Sequence, residues 1–246
     1  MVQVIPIPIS FTLDQQEHQL YPVVLQTASA RVMVDCGYES NLPLLEAALL
    51  EREIAPADIT HIIITHHDID HMGGLWAWKN QYPQVRVYTA LEEIPYVSGT
   101  RKSLRQAQAE AGYEQLPEAY KPWAQEFIRR HQALRTVVPD GGLQYDEVLP
   151  FMPEVQVIAT PGHMPYHISL YIPNSATLIA ADALVIEDGQ FNIANPAFVL
   201  DLKAAVQSIA GIRSLTLERV ICYHGGEMHT GIYQSLDRLL DQYKTV

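Results

Sequence analysis

The segment that most constrains this chain of 246 residues is an apolar run that ends in a cluster of histidines and aspartates. The β-branched run Ile62–Ile64 predicts a buried strand that stops at Thr65. Residues 66–71 then read HHDIDH, and two glycines follow soon after. Imidazole and carboxylate groups are the usual protein ligands of zinc, iron and manganese. Because so many of them are costly to bury unless a cation neutralises the carboxylates, the segment predicts a metal site.

This segment resembles the metal-binding motif of the metallo-β-lactamase superfamily, whose usual form is H-x-H-x-D-H. Here the pattern is H-x-D-x-D-H, because Asp68 stands where the family has its second histidine. His67 falls on a position where the family has no ligand. The remaining ligands of the family are matched in the same order, each after a short apolar run, by His163, Asp182 and His224. The resemblance covers essentially the whole chain apart from residues 97–135.

The resemblance implies a dinuclear metal centre with seven ligands. One ion would be bound by His66, Asp68 and His163, the other by Asp70, His71 and His224, and Asp182 would bridge the two. Asp70 and Asp182 would be the catalytic residues, since Asp70 can also orient the nucleophile or accept its proton. Zinc is the expected metal. The hard carboxylate of Asp68 shifts the preference toward iron or manganese, which stay as alternatives.

Five other residues are candidates for supporting these ligands or contacting substrate: Asp35, His67, His167, Tyr223 and Arg105. The turn at residues 35–37 lies beneath the metal site in the resembled family. Asp35 is therefore either a residue that orients a ligand or a plain turn aspartate. His67 and His167 are each either part of the site or an ordinary loop histidine.

Within the superfamily, the chain resembles the single-domain branch that includes the N-acyl-homoserine lactonases and glyoxalase II. Those lactonases place a tyrosine three residues after the bridging aspartate, and this position is Val185 here. Tyr223 and Tyr166 are candidates to replace the missing phenol. The substrate therefore stays open among lactones, thioesters, other esters and phosphodiesters.

Strands and helices alternate along the chain, which predicts an α/β fold. The apolar runs form two sets of strands, and helices complete each set. This order suits two sheets packed face to face with helices outside, the four-layer αββα sandwich of the resembled superfamily. Residues 1–246 are predicted to form one domain. Val2–Ile9 contains two prolines and predicts an edge strand.

Residues 97–135 interrupt this pattern with two predicted helices, at about 102–111 and 122–134. The segment holds seven of the 16 lysines and arginines and four acidic residues, a net charge of +3 in a chain whose net charge is −12. Such an insertion is either a lid or a solvated helical surface. As a lid, it would place Arg101, Lys102 or Arg105 against an anionic substrate.

The composition restricts the class of protein. A net charge of −12 argues against a binder of nucleic acid or anionic membranes, and no apolar run reaches the roughly 18 residues that span a bilayer. The first ten residues lack the basic segment of a signal peptide. Cys36 and Cys222 lie in or beside apolar runs, which argues against a disulfide framework. We therefore expect a cytoplasmic protein with a small-molecule substrate, and the oligomeric state stays open between monomer and homodimer.

The predicted function is metal-dependent hydrolysis. In the resembled family a hydroxide that bridges the two ions attacks the substrate, which is expected here to contain an ester-type bond. The sequence has neither a G-x-S-x-G nucleophile elbow nor a P-loop. Flavodiiron proteins, a related branch, have glutamate at the position of Asp68, so a diiron oxidoreductase with a separate electron-donor partner is one alternative. A phosphodiesterase and a metal-binding protein without turnover are the others.

Overall fold

The computed structural model describes residues 1–244. Its strands, in chain order, are β1 (Gln3–Pro6), β2 (Ile9–Leu13), β3 (Gln16–Leu20), β4 (Val23–Gln26), β5 (Arg31–Val34), β6 (His61–Ile64), β7 (Arg86–Ala90), β8 (Gly141–Leu143), β9 (Val148–Leu149), β10 (Met152–Ala159), β11 (Ile168–Ile172), β12 (Thr177–Ala181), β13 (Val185–Glu187), β14 (Gln190–Asn192), β15 (Arg219–Cys222) and β16 (Gly226–Met228). Its α-helices are α1 (Leu42–Glu51), α2 (Ile69–Met72), α3 (Leu75–Gln81), α4 (Ile94–Val97), α5 (Leu104–Gly112), α6 (Lys121–Gln132), α7 (Leu202–Arg213) and α8 (Ile232–Gln242).

Most strands belong to two sheets of six strands each. The strand order is β1-β4-β5-β6-β7-β8 in the first sheet and β16-β15-β12-β11-β10-β9 in the second. Strands β5 to β8 run parallel, whereas β1, β4 and β5 pair antiparallel. In the second sheet the β12–β15 pair is parallel and the other pairs are antiparallel. Two hairpins, β2–β3 and β13–β14, stand apart from both sheets.

The inner faces of the two sheets form one apolar core. In β6, Ile63 points into this core, which it shares with Leu170 of β11 and Ile221 of β15. Its neighbours Ile62 and Ile64 point to the opposite face of the sheet and belong to the core beneath the helices. Because β6 is buried on both faces, its sequence is a continuous apolar run and does not alternate with polar residues.

Helices cover the outer face of each sheet. Leu45 and Leu49 of α1 and Trp78 of α3 are fully buried in the core against the first sheet. Ile209 of α7 and Leu236 of α8 occupy the corresponding core of the second sheet. The layers are therefore helix, sheet, sheet and helix, which confirms the predicted αββα sandwich.

The N-terminal strand and the insertion differ in detail from the prediction. The edge strand β1 ends at Pro6, and from Ile9 the chain forms the β2–β3 hairpin, which the sequence analysis did not predict. In the insertion, α5 and α6 begin and end within two residues of the predicted bounds. Within residues 1–244, no helix has the length and apolar composition needed to cross a bilayer.

A glycine in the loop after β10 allows this loop to approach α7. Gly162 has a φ of +140°, and a Cβ atom at this position would lie 2.3 Å from the backbone of Ala205. The Gly162 carbonyl accepts hydrogen bonds from Leu200 and Asp201, just before α7. Because His163 is the next residue, the close approach of loop and helix fixes where the imidazole of His163 lies.

We expect Gly162→Ala to lower the free energy of unfolding by about 2 kcal/mol or more, because alanine is strained at this φ and its methyl group collides with backbone. Gly211→Ala in α7 is the matched control, since no atom lies within 4 Å of its added Cβ and its φ is not positive. There alanine should stabilise the helix by about 0.5–1 kcal/mol. Urea unfolding followed by circular dichroism measures both changes. Equal stability of the two variants would contradict the proposed constraint.

Candidate metal centre

The ends of four strands, drawn from both sheets, meet at one edge of the sandwich. The segment 66–71 follows β6, and the later candidate ligands follow β10, β12 and β15. The structure brings all seven of the predicted ligands together at this edge: His66, Asp68, Asp70, His71, His163, Asp182 and His224. Their nitrogen and oxygen atoms form three overlapping groups, and within each group these atoms lie within 4.8 Å of one another.

Asp68 anchors one side of the cluster. Its Oδ2 lies 2.9 Å from Nε2 of His163 and 3.5 Å from Nε2 of His66. These are the three residues expected to bind one ion. All three are buried.

Asp70, His71 and His224 form the other side of the cluster. Nε2 of His224 is 3.2 Å from Oδ2 of Asp70, and Nε2 of His71 is 3.8 Å from the same oxygen. Asp182 lies between the two sides, with Oδ1 3.3 Å from His71 Nε2 and Oδ2 3.6 Å from His163 Nε2. Asp182 therefore lies between the two sets of candidate ligands, and its role as a bridge between two ions stays a prediction.

Several atoms of the cluster are buried without a hydrogen-bond partner in the described part of the chain. They include Nε2 of His66, Nε2 of His71 and Oδ1 of Asp182. Buried polar atoms in folded proteins nearly always have a hydrogen-bond partner, so several unpaired ones in a single cluster need an explanation. A divalent cation accepts electron pairs from imidazole nitrogen and carboxylate oxygen together, and this donor set fits such an ion.

Asp35 lies beneath the cluster and holds one of its imidazoles. Its Oδ2 is 2.9 Å from Nδ1 of His71, which leaves Nε2 of that ring facing Asp182. The hydroxyl of Thr65 donates to the same carboxylate at 2.9 Å and lies 3.1 Å from Nδ1 of His66. A carboxylate behind a metal-binding histidine fixes its tautomer and ring orientation. Of the two alternatives for Asp35, the geometry favours the orienting role.

The electrostatics of the cluster favour positive charge. Burial by itself disfavours protonation of His71, but the carboxylates of Asp182, Asp35 and Asp70 outweigh it and raise its pKa well above the usual value. Burial opposes ionisation of Asp182 as well, yet the neighbouring imidazoles of His224 and His71 hold its pKa well below the usual range. The ionised carboxylate of Asp182 therefore favours a positive charge beside it, either a protonated imidazole or a metal ion.

His167 and Tyr223 support the loops of the cluster and do not point into it. Nδ1 of His167 is 2.8 Å from the hydroxyl of Thr160, and its Nε2 accepts the backbone N–H of Asp182 at 3.1 Å. Burial lowers the pKa of His167 to about 3, so the ring is neutral. The Tyr223 hydroxyl donates to the Asp70 carbonyl at 2.7 Å and accepts the Gly37 N–H. Because the hydroxyl of Tyr223 already makes two hydrogen bonds to the backbone, Tyr223 does not offer a free phenol to a substrate.

His67 links the cluster segment to the insertion. Its Nδ1 is 2.5 Å from Oε2 of the buried Glu93, and its Nε2 accepts the backbone N–H of Leu104 at 3.2 Å. The ring also stacks on Tyr96, with the ring centroids 4.5 Å apart. His67 therefore points away from the other imidazoles and fixes the start of α5. Glu93 was not singled out by the sequence, because it lies 26 positions from His67 and is not part of a ligand motif.

Arg105 reaches into the cluster from α5. It is 2% exposed, and its guanidinium donates to both carboxylate oxygens of Asp68, from Nε at 3.0 Å and from Nη2 at 2.8 Å. Although burial opposes ionisation, this guanidinium holds the pKa of Asp68 well below its usual range. Of the other two basic residues considered, Arg101 is exposed and Lys102 pairs with Glu110 on the surface. Arg105 thus contacts Asp68 and also lines the cavity above the cluster, and its contact with an anionic substrate stays a prediction.

A cavity of about 520 Å³ opens above the cluster. Its walls include residues that the sequence analysis did not name as candidates: Phe11 and His18 of the β2–β3 hairpin, Phe127 and His131 of α6 in the insertion, and Phe198. The distance in sequence among these residues explains why no local pattern indicated them. The one tyrosine in the part of the wall that the structure describes is Tyr38, not Tyr166.

Comparison with known proteins gives a consistent result. The family model described as the metallo-beta-lactamase superfamily matches residues 19–224. A probable metallo-hydrolase of Bacillus subtilis, YflN, is 25% identical over 205 residues, which are 79% of this chain and 75% of that protein. A probable hydroxyacylglutathione hydrolase of Schizosaccharomyces pombe is 29% identical over 107 residues, which are 42% of this chain and 40% of that protein.

The fold is also similar to solved structures. The metallo-beta-lactamase family protein TTHA1429 of Thermus thermophilus superposes with a TM-score of 0.68 at 21% identity. The superposition covers 98% of this chain and 79% of that one. At this identity the likeness concerns the fold alone.

We expect Asp35→Asn to weaken metal binding by about 10- to 100-fold, because the amide cannot supply the negative charge that holds Nδ1–H of His71. Asparagine tolerates the positive φ of 60° at this position, so the backbone is preserved. Asp58→Asn, which removes a surface carboxylate paired with Arg31, is the control and should leave the affinity unchanged. Competition with a chromophoric chelator measures the affinity. An unchanged affinity in Asp35→Asn would exclude the orienting role.

Proposed function

The chain belongs to the metallo-beta-lactamase superfamily, and from that premise we propose that this metal-dependent hydrolase cleaves lactones or other esters with a neutral, apolar acyl part. The observation that carries the proposal is the cavity above the cluster. It joins an apolar wall to the imidazoles and carboxylates at its floor. A small ester fits such a site, with its acyl chain against the wall and its carbonyl at the floor.

The floor of the cavity supplies the catalytic groups. Two divalent ions, zinc in the first instance, would lower the pKa of a water molecule and polarise the carbonyl of the substrate. Asp70 faces the cavity and, through its carboxylate, orients the attacking water and accepts its proton. Asp182 holds the two sides of the cluster together. Tyr38 lines the same cavity and is a candidate to supply the phenol that is missing at Val185, the position of the lactonase-type tyrosine.

The wall of the cavity supports an apolar acyl group. Phe11 comes from the β2–β3 hairpin, Phe127 from α6 and Phe198 from the loop before α7. The rings of Phe127 and Phe198 are stacked with their centroids 6.1 Å apart. Burying an acyl chain against aromatic rings contributes about 0.8 kcal/mol for each methylene group. Such a wall favours medium acyl chains or aromatic acyl groups over acetyl.

The charges around the cavity disfavour anionic substrates. Among the described residues that line it, Arg105 is the one arginine or lysine, and Asp68 already binds its guanidinium. Glu187 adds a further carboxylate to the rim. Apart from the metal ions themselves, phosphodiesters and substrates with free carboxylates would find no unpaired lysine or arginine along the described wall. This weighs against the phosphodiesterase alternative.

Thioester hydrolysis is the second candidate. The relative from Schizosaccharomyces pombe, named as a probable hydroxyacylglutathione hydrolase, supports it. The leaving group distinguishes the two candidates, since glutathione carries two carboxylates and this cavity offers no free cation among its described residues. A neutral thioester fits the cavity better than a glutathione thioester. The diiron oxidoreductase alternative requires iron and an electron donor, and metal analysis tests it separately.

We expect the zinc- or manganese-loaded protein to hydrolyse neutral lactones and aryl esters of medium acyl chains, with little activity on bis-p-nitrophenyl phosphate. His224→Ala should lower kcat/KM by about 100-fold or more, because a metal ligand is lost. His229→Ala is the matched control, since His229 is exposed and pairs with Glu227 on the surface. A chelator should abolish activity and added metal should restore it. Turnover of the phosphodiester alone, or no turnover in the panel, would refute the proposal.

We expect Phe127→Ala to raise KM about tenfold for esters of medium acyl chains while leaving KM for acetyl esters unchanged, because apolar contact with the acyl chain is lost. Trp123→Ala is the control. Trp123 stacks on Phe127 in the same helix but is half exposed and does not line the cavity. Steady-state kinetics with a series of acyl lengths measures the difference. An equal rise in KM for short and long esters would show that α6 does not contact the acyl group.

A further inference from the structure

One cation is already present in the cluster of imidazoles and carboxylates. Nη2 of Arg105 donates to Oδ2 of Asp68 at 2.8 Å and lies 3.1 Å from Nε2 of His163. Nε2 of His163 and Oδ2 of Asp68 are themselves 2.9 Å apart, within hydrogen-bond distance. A guanidinium has no acceptor and stays protonated, so it places a positive charge directly beside the His163 nitrogen. That nitrogen is the one that a metal ion on this side of the cluster would use.

Arg105 is held in this position from several directions. Its Nη1 donates to Oε1 of Gln108 at 2.7 Å and to the backbone carbonyl of Phe198. The guanidinium also lies over the ring of Phe198, 5.2 Å from the centroid. The preceding residue, Leu104, donates its N–H to His67. The guanidinium is therefore a fixed part of the cluster and not a surface side chain that happens to lie near it.

The two sides of the cluster consequently differ in charge. On the side of His66, Asp68 and His163, the single carboxylate is already neutralised by Arg105. On the side of Asp70, His71 and His224, no lysine or arginine of residues 1–244 contacts the ligand atoms. That side also shares the Asp182 carboxylate, whose Oδ1 is buried without a hydrogen-bond partner within the same residues. These two carboxylates, which no lysine or arginine of the described residues balances, carry the charge that one divalent ion would neutralise.

We propose that Arg105 acts as a resident cation on the His66, Asp68 and His163 side, so that the chain binds one divalent ion tightly at Asp70, His71, His224 and Asp182 and a second ion only weakly. A second ion would have to compete with the guanidinium of Arg105 for Asp68 and His163. The inference rests on the metal centre of the proposed function and is independent of the ester substrate. It also accounts for Asp68, because a histidine at that position could not form the paired hydrogen bonds with a guanidinium.

The number and affinity of bound ions test this proposal without any assay of activity. The protein is dialysed against excess Zn(II) or Mn(II), desalted and analysed for metal by mass spectrometry, and titration calorimetry then gives the affinities. We expect the wild-type chain to retain one equivalent and to bind the second about 100-fold or more weakly. Arg105→Gln, which removes the charge, should retain two equivalents. Arg105→Lys, which keeps the charge, should retain one, as should Lys102→Gln, which removes a surface cation of the same insertion.

A second pair of variants locates the tight ion and serves if Arg105→Gln does not fold. His224→Ala should lose the retained equivalent, whereas His163→Ala should keep it. Two equivalents of similar affinity in the wild-type chain, or a retained ion that depends on His163 and not on His224, would overturn the inference while leaving the hydrolase proposal intact. A single equivalent in folded Arg105→Gln would overturn it as well. No bound metal in the wild-type chain would overturn the inference and the proposed metal centre together.

Discussion

The negative charge of a buried carboxylate must be balanced by hydrogen-bond donors or by a cation. This requirement determines which side chains meet at the edge of the sandwich where the two sheets come together. Asp35, Asp68, Asp70 and Asp182 all lie in or directly beneath one cluster. Isolated ionised groups cannot be buried at a tolerable cost, so each aspartate needs a donor or a cation. Asp35 receives an imidazole and a hydroxyl, and Asp68 receives a guanidinium. The two that remain, Asp70 and Asp182, have imidazoles around them, and they are the residues on which a metal ion would act most strongly.

The layers of the fold could be predicted because each strand carries its own signal. Ile62–Ile64, Ile168–Ile172 and Thr177–Ala181 are short apolar runs, and the structure has a buried strand at each place. The β2–β3 hairpin could not be predicted in this way. Its two-residue turn, Asp14 and Gln15, adopts positive φ angles of 51° and 64° without a glycine, so the usual turn signal is missing. Strand β2 does alternate apolar and polar residues, but β3 is polar apart from its last residue, Leu20, so the sequence indicated no partner strand.

Those residues of the candidate site that follow the end of a strand could be predicted from the sequence. Seven imidazoles and carboxylates that are scattered along the sequence come together, since the order of the apolar runs fixes which strand ends meet. The partners of these residues were not visible. Glu93 is joined to His67 and Arg105 to Asp68 across 26 and 37 positions, and each contact depends on the folded path of the insertion. Charge alone indicated that Arg105 meets an anion, but not that the anion is a carboxylate of the protein.

The insertion and the cluster therefore form one structural unit at their junction. Helix α5 begins at the point where His67 accepts the N–H of Leu104, and one residue later Arg105 enters the cluster. Any rearrangement of this part of the insertion would expose the carboxylate of Asp68 and change the charge of the site. Helix α6 has no such anchor to the ligands and contributes Phe127 to the cavity wall. The two helices of the insertion thus have different roles. Helix α5 brings the positive charge of Arg105 into the cluster, and α6 forms part of the wall of the cavity above it.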